Sequence, residues 1–333
     1  MNRLQTIDAD TLQSTAYEPV SFVVDDLLPQ GLHLLAGAPK IGKSWLALWL
    51  CLCAAQGKPL WTFATRPCEV LYLCLEDSFQ RIQSRLFDLT EDAPPTLHFA
   101  VMSQQLHNGL VEQIEQFLKE HPQTRLIVID TLQRIRAAGN DANPYASDYR
   151  DIGVLKALAD KHRIAILLVH HLRKMNDDDP MNMISGTTGL SGCADGALIM
   201  QKEKRTDGKA TLEISGRDQP DQRLYLSKDQ ENLIWSLDHA ENELWKQPPD
   251  PVLKAVAKIV SDENREWEGS PTELAEALQL NMAVNRLTKH LNVNASRLLE
   301  EHQVKYENKT KHAGRRIRLT YMVIEAPMVE VIK

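Results

Sequence analysis

Cysteine is scarce in this sequence. There are five among 333 residues (Cys51, Cys53, Cys68, Cys74 and Cys193), an odd count with no C-x-x-C pair, and several sit inside apolar runs. A disulfide scaffold is excluded, and the thiols read as reduced core residues of a cytosolic protein. Long hydrophobic runs are missing too: the longest, Trp45–Ala55, is about half of the ~18 residues a membrane span needs. The opening MNRLQTIDAD places acids where a signal peptide carries its apolar core, so it marks no export. Glycine (15) and proline (16) are too few for a low-complexity chain. Positive charge is also short, with 38 Lys and Arg against 45 Asp and Glu and a net charge of −7. A protein that grips nucleic acid by bulk charge has the opposite balance. The deficit is uneven: residues 248–333 carry 13 basic and 12 acidic side chains, residues 1–247 carry 25 and 33. A phosphate-facing surface is therefore expected in the C-terminal part.

Against these absences stands a regular alternation from Gly31 to about Leu237. The runs Leu32–Ala36, Val70–Leu75, Leu126–Ile129 and Ile164–Val169 lack polar alternation, as strands buried on both faces do. Helical stretches lie at Ser44–Gln56, Ser78–Leu89, Leu110–Glu120 and Tyr149–Lys161. This order predicts an α/β domain around a mainly parallel sheet. From Ala197 to Trp235 the helices stop, and Leu198–Gln201, Ala210–Ser215 and Leu224–Leu226 predict an antiparallel extension. Three prolines within Gln247–Pro251 mark a linker. Beyond it come a helix over Val252–Ser261 and a second one started by Ser270 as cap, Pro271 in the first turn and Glu273 completing a capping box. Leu274, Leu278, Leu287 and Leu291 supply apolar helix faces, and Ala295–His302 forms a further helix. Val304, Tyr306, Ile317 and Leu319 alternate with polar residues around Ala313-Gly314, as in a β-hairpin. The expected division is a lead-in over 1–30 that packs on the main domain, an α/β domain over 31–246, a linker over 247–251 and a winged helix-turn-helix over 252–325.

Gly37-Ala38-Pro39-Lys40-Ile41-Gly42-Lys43-Ser44 matches G-x-x-x-x-G-K-[ST] between an apolar strand and a helix, the context in which the motif is specific. Loop N–H groups would cradle phosphates, Lys43 would reach the β- and γ-phosphates of ATP, and the Ser44 hydroxyl would hold Mg²⁺. The strand Leu126-Ile-Val-Ile-Asp130 ends in an acid that would support Mg²⁺ through water. Glu76, after the strand Leu71–Leu75, is placed to polarise an attacking water, with Asp77 as cap of the next helix. His170, after Ile164–Val169, is the candidate γ-phosphate sensor. Arg81 and Arg85 are expected to make local ion pairs, Asp77 among their partners. No Cys/His spacing supports zinc, because neighbouring His170 and His171 point to opposite strand faces.

These motifs (GAPKIGKS, YLCLED, LIVIDTL, VHHLRK followed by SGTTGLSGCADG, and LEISGRD) together resemble the RecA-like P-loop ATPases, most closely the plasmid RepA-type hexameric replicative helicases, over roughly 17–237. The resemblance implies a RecA-like fold and a ring of identical subunits driven by Mg-ATP on single-stranded DNA. It implies Glu76 as catalytic glutamate, His170 as the switch in place of a family glutamine, and Arg217 as the arginine that completes the next subunit's site, with Arg205 as second choice. Two loops would face a central channel, one with Arg134 and Arg136, the other spanning Lys174–Gly192 after Arg173. The second departs from a DNA-gripping pattern, with acids at Asp177-Asp178-Asp179; Thr187 and Thr188 offer neutral phosphate contacts. In the C-terminal hairpin Lys309, Lys311, Arg315 and Arg316 are candidates for the DNA backbone.

Two functions stay open. One is a cytoplasmic DNA motor, the helicase or helicase-like subunit of a plasmid, phage or integrative element, partnered by a primase or an initiator. The other is an ATP-switched DNA-binding regulator without unwinding. A P-loop kinase is disfavoured, since it has no use for a winged helix.

Overall fold

The computed structural model describes residues 4, 6–136, 144–172, 184, 188–202, 204, 208–229, 233–242, 250–279, 282–311 and 314–322. The chain divides into two compact units, residues 21–245 and residues 1–20 with 246–333. The first helix, α1 (Ala9–Ser14), thus counts with the C-terminal unit. The lead-in expected over 1–30 is split, because residues 22–29 form the small pair β1 (Phe22–Val24) and β2 (Leu28–Pro29) of the larger unit.

The larger unit runs β3 (Gly31–Gly37), α2 (Lys43–Gln56), β4 (Glu69–Cys74), α3 (Phe79–Leu89), β5 (Leu97–Ala100), α4 (Leu110–Glu120), β6 (Thr124–Asp130), α5 (Leu132–Ile135), α6 (Pro144–His162), β7 (Ala165–His171) and α7 (Thr188–Cys193). Four strands follow, β8 (Gly196–Gln201), β9 (Lys209–Gly216), β10 (Gln222–Lys228) and β11 (Trp235–Asn242). One nine-stranded sheet has the order β11-β10-β9-β8-β3-β7-β6-β4-β5. From β8 to β5 all neighbours are parallel, and β9, β10 and β11 add antiparallel strands at the other side. The mainly parallel α/β sheet with its extension is thus observed.

Strand alternation assigns each side chain to one of two cores. Leu126 and Val128 of β6, Leu167 and Val169 of β7, and Val70, Tyr72 and Cys74 of β4 share one core with the apolar residues of α2. Ile127 and Ile129, Ile166 and Leu168, and Leu71 and Leu73 share the other with α4 and α6. A sheet covered on both faces needs apolar residues at every position, hence the unbroken runs. The extension has one apolar face: Ala210, Leu212, Ile214, Leu224, Leu226 and Trp235 all join the α2-side core. All five cysteines are buried and unpaired; burial pushes the Cys53 thiol up to about 12 and Cys68 up to about 11.

In the other unit come α8 (Pro251–Ala257), β12 (Glu266–Gly269), α9 (Pro271–Leu278), α10 (Val284–Val293), α11 (Ala295–His302), β13 (Val304–Lys311) and β14 (Gly314–Tyr321). The strands form an antiparallel sheet in the order β12-β14-β13. Ser270 caps α9 in a complete capping box with Glu273. Leu274, Leu287, Leu291, Leu298, Val304, Tyr306, Ile317 and Leu319 make its core. Asn292 ties α1 in by donating to Gln13 O at 3.0 Å, while its Oδ1 accepts from the Tyr306 hydroxyl at 2.9 Å.

Candidate functional site

The carboxyl ends of β3, β7, β6 and β4 lie side by side, with Gly37 opposite His171, Asp130 opposite Val169 and Cys74 opposite Asp130. Ligands of open α/β sheets gather at this edge. The loop Gly37–Ser44 leaves it and turns into α2 through Gly42, whose φ is +116°. A Cβ there would lie 2.9 Å from the Trp235 ring, so glycine is required both by conformation and by space. Trp235, fully buried at the start of β11, walls the loop from behind.

Lys43 is the buried cation of the loop. Its Nζ donates to Gly37 O at 2.8 Å and Ala38 O at 3.1 Å, and lies 3.4 Å from His171 Nδ1. Burial holds its pKa down to about 8, outweighing the attraction of Asp130 and Glu76. Asp130 shares strand parity with Leu126 and Val128, so it faces α2. There its Oδ2 accepts from Ser44 Oγ at 2.7 Å and from the Tyr72 hydroxyl at 3.1 Å. Burial raises the Asp130 carboxyl despite these two hydrogen bonds. The Asp130–Thr131 peptide is cis. Thr131 Oγ1 donates to Glu76 Oε1 at 3.3 Å, and Arg134 Nε is 3.6 Å from the same oxygen. The Glu76 side chain keeps 47% exposure, open to solvent.

A buried ammonium beside a hydroxyl and a carboxylate on one sheet edge suits a polyphosphate with a hard cation. Ser44 and Asp130 offer oxygen only, the donor type Mg²⁺ prefers. The residues present therefore fit the expected Mg-ATP.

Several expectations are corrected. His171, not His170, touches Lys43: it has the strand parity of Leu167 and Val169 and so faces the α2 side, whereas His170 is buried with the parity of Ile166 and Leu168. Arg136 is not presented to a DNA strand. Its guanidinium is bound to Asp148 at 2.7 Å and Asp151 at 2.9 Å with 17% of the side chain exposed, because α6 brings both acids against it. Arg134, placed in a channel loop by the sequence, is beside Glu76 instead. The cap of α3 is Ser78, whose side chain accepts from Arg81 N, while Asp77 binds Arg81 at 2.9 Å and Arg85 at 2.6 Å. Three participants escaped sequence reasoning. Tyr72 lies in an apolar run where its hydroxyl gives no signal; Thr131 follows a motif without belonging to it; Trp235 is nearly two hundred residues from the loop it supports.

Arg217 sits at the other end of the sheet. Gly37 pairs with Met200, whereas Gly216 pairs with Gly196, which itself pairs with His33 near the start of β3. At ~3.3 Å per strand residue, that end is over 10 Å from Lys43 of its own chain. The arginine therefore cannot complete its own nucleotide site. It is 60% exposed and lies 3.4 Å from Asp195, the partner where Asp218 was the expected alternative. Asp195 also binds Lys156 at 2.8 Å.

In the C-terminal hairpin Arg315 is exposed, and Lys309 pairs with Glu307 at 3.3 Å. Arg316 lies 3.6 Å from Glu273 and Arg318 2.7 Å from Glu268, so acids of α9 and β12 offset the basic strand. Lys311 ends β13 and Thr188 opens α7. Arg173, Lys174, Thr187 and Arg205 lie outside the described residues, as do Asp177, Asp178 and Asp179.

A family described as an AAA domain matches residues 2–177. No curated protein matches the chain. Among solved structures, a phosphohydrolase module described as an ATPase domain is similar with a TM-score of 0.52 and 16% identity, covering 62% of this chain and 84% of that one. A structure of a DnaB-like replicative helicase and its interactions with primase gives a TM-score of 0.51 and 16% identity, covering 62% of this chain and 57% of that one. At such identities the likeness is one of fold.

Proposed function

The chain belongs to the AAA domain family, and from that premise we propose that it is an Mg-ATP-hydrolysing, helicase-like motor of the RepA type acting on single-stranded DNA as a homo-oligomeric, hexameric ring. The observation that carries the reading is the convergence of Lys43, Ser44, Asp130, Glu76 and His171 on one sheet edge. In this reading Gly37–Ser44 cradles the phosphates, with Lys43 moving from its loop carbonyls onto them. Ser44 holds Mg²⁺ directly and Asp130 through water, with Tyr72 orienting Asp130. When bound, the ion neutralises charge developing on the β- and γ-phosphate oxygens. Glu76, steadied by Thr131, accepts the proton of the attacking water. His171 takes the phosphate-side role that the sequence assigned to His170. Arg217 serves the neighbouring subunit, since its own site is out of reach. The C-terminal unit, with helices α9 to α11 and the hairpin β13–β14, acts as a winged helix contacting DNA backbone through Lys309, Lys311, Arg315 and Arg316. The motor belongs to the replication system of a plasmid, phage or integrative element, with a primase or initiator as partner. A cytoplasmic setting goes with this reading, and among the described residues no helix is long and apolar enough to cross a membrane.

The test is steady-state Mg-ATP hydrolysis with and without single-stranded DNA, with Lys43→Ala as blank. Stimulation of about tenfold that grows with strand length supports the motor. Hydrolysis indifferent to single strands defeats it. One observation favours the second reading, an ATP-switched regulator: Arg136 is committed to Asp148 and Asp151 and Arg134 to Glu76, which leaves the first channel loop short of free cations. A defined duplex footprint without strand-length dependence would select that reading.

A further inference from the structure

The far side of the sheet carries a second cluster of chemically capable side chains. Glu69 opens β4 and has the parity of Leu71 and Leu73, so it faces α4. His98 of β5 pairs with Leu71 and lies on the same face. His121 is the C-cap of α4, and Phe117, one turn earlier, stacks on its ring with centroids 4.3 Å apart. The three meet above the amino ends of β4 and β5. One ligand atom from each falls within 4.8 Å of the others. The His98 and His121 rings are 4.3 Å apart, and His121 Nδ1 is 3.3 Å from Glu69 Oε1.

The cluster is incompletely satisfied. Among the described residues Glu69 Oε2 and His98 Nε2 are buried with no hydrogen-bond partner, and a buried acceptor left so costs about 1–3 kcal/mol. Two imidazoles pressed together beside one carboxylate are poor company for one another but a good ligand set for a cation between them.

We propose that Glu69, His98 and His121 form a binding site for a divalent transition-metal ion of the zinc class. Two nitrogens and one oxygen suit such an ion, and they discriminate against Mg²⁺ and Ca²⁺, which take oxygen. Ligands of tetrahedral zinc at ~2.1 Å stand roughly 3.4 Å apart, a closure that side-chain rotation supplies from the present spacing. Burial and the adjacent His121 ring hold the His98 pKa down, in the neutral form that metal binding needs. The site is distinct from the nucleotide edge: Glu69 is at the first residue of β4 and Glu76 beyond its last, roughly 20 Å along the strand. Bound metal would clamp the edge strand β5, which has β4 as its one neighbouring strand, to the end of α4. Sequence spacing gives no hint of it, because the ligands come from a strand, the next strand and a helix end.

The test uses the full chain, stripped with a chelator and titrated by calorimetry with Zn²⁺ alone in excess Mg²⁺. One equivalent is expected, with thermal unfolding shifted upward by zinc. His98→Gln and His121→Gln are each expected to weaken binding by at least about tenfold and to abolish the zinc-induced thermal shift. Titration with Co²⁺ reads the ligand set in the unaltered chain, should a variant fail to fold: visible d–d bands without a thiolate charge-transfer band are expected. Absence of zinc uptake, a thiolate band, or folded glutamine variants that bind as tightly as the parent would overturn the proposal.

Discussion

Ser44 Oγ donates to Asp130 Oδ2 at 2.7 Å across 86 residues of sequence, joining the start of α2 to the end of β6. The bond holds two prospective magnesium-site groups together before any ion arrives. It also leaves a carboxylate whose burial costs more than its two hydrogen bonds return, since its pKa is raised.

Asp130→Asn therefore separates stability from function. The amide keeps acceptors for Ser44 and Tyr72 while removing a buried charge, so the melting temperature of the ligand-free protein should stay level or rise. Mg-ATP hydrolysis should fall by at least about 100-fold. A large drop in melting temperature, read by calorimetry, would instead make Asp130 a structural anchor.

Glu76→Gln preserves size and the contact with Thr131 but removes the base. Turnover should fall by about 100-fold or more while nucleotide affinity changes little. Near-parental turnover in a phosphate-release assay would place the base elsewhere.

Lys43 sets a pH signature. Its folded pKa, held near 8 by burial, lies below the ordinary lysine value of about 10.4, so the unfolded chain binds more protons between the two. Its contribution to stability therefore rises as pH climbs from about 8 to about 10. Nucleotide binding runs the opposite way, because phosphate needs the ammonium: affinity should fall by up to about tenfold per pH unit above 8, with uptake of up to one proton. Calorimetry in buffers of different ionisation enthalpy measures that proton, and Lys43→Arg should abolish the linkage.

Arg217→Ala should be inactive alone. Mixed with Glu76→Gln subunits, which still carry the arginine, it should recover turnover at interfaces where an intact Glu76 site faces a neighbour's Arg217. Failure at every mixing ratio, with assembly intact by light scattering, would refute the action across subunits.

Much of the site was legible because its parts are local. GAPKIGKS between Leu32–Ala36 and a helix, and LIVID ending in Asp130, declare themselves within a few residues, and the structure brings them together. The capping box at Ser270–Glu273 was equally local. What escaped depends on side-chain direction or distant partners. Which of His170 and His171 faces Lys43 turns on strand parity. Arg136 looked free until α6 supplied Asp148 and Asp151. Strand β5 escaped because, at the sheet edge, His98, Phe99 and Ala100 are only partly buried and show no unbroken apolar run. Strand β12 is short and mostly charged, with Trp267 between two glutamates. The first thirty residues divided between units because Asp10 and Gln13 bond to α10, which no pattern in α1 announces.

Trp235 has a practical corollary for anyone trimming this protein. The region that matches the AAA domain ends at residue 177, and β8 ends at Gln201. A fragment cut there would retain every phosphate-binding and carboxylate motif, yet it would expose the underside of Gly42 to water where an indole now fills the space. The smallest autonomous nucleotide-binding piece therefore extends through β11, and truncation libraries should show binding vanish as a step between residues 234 and 236 rather than fade gradually.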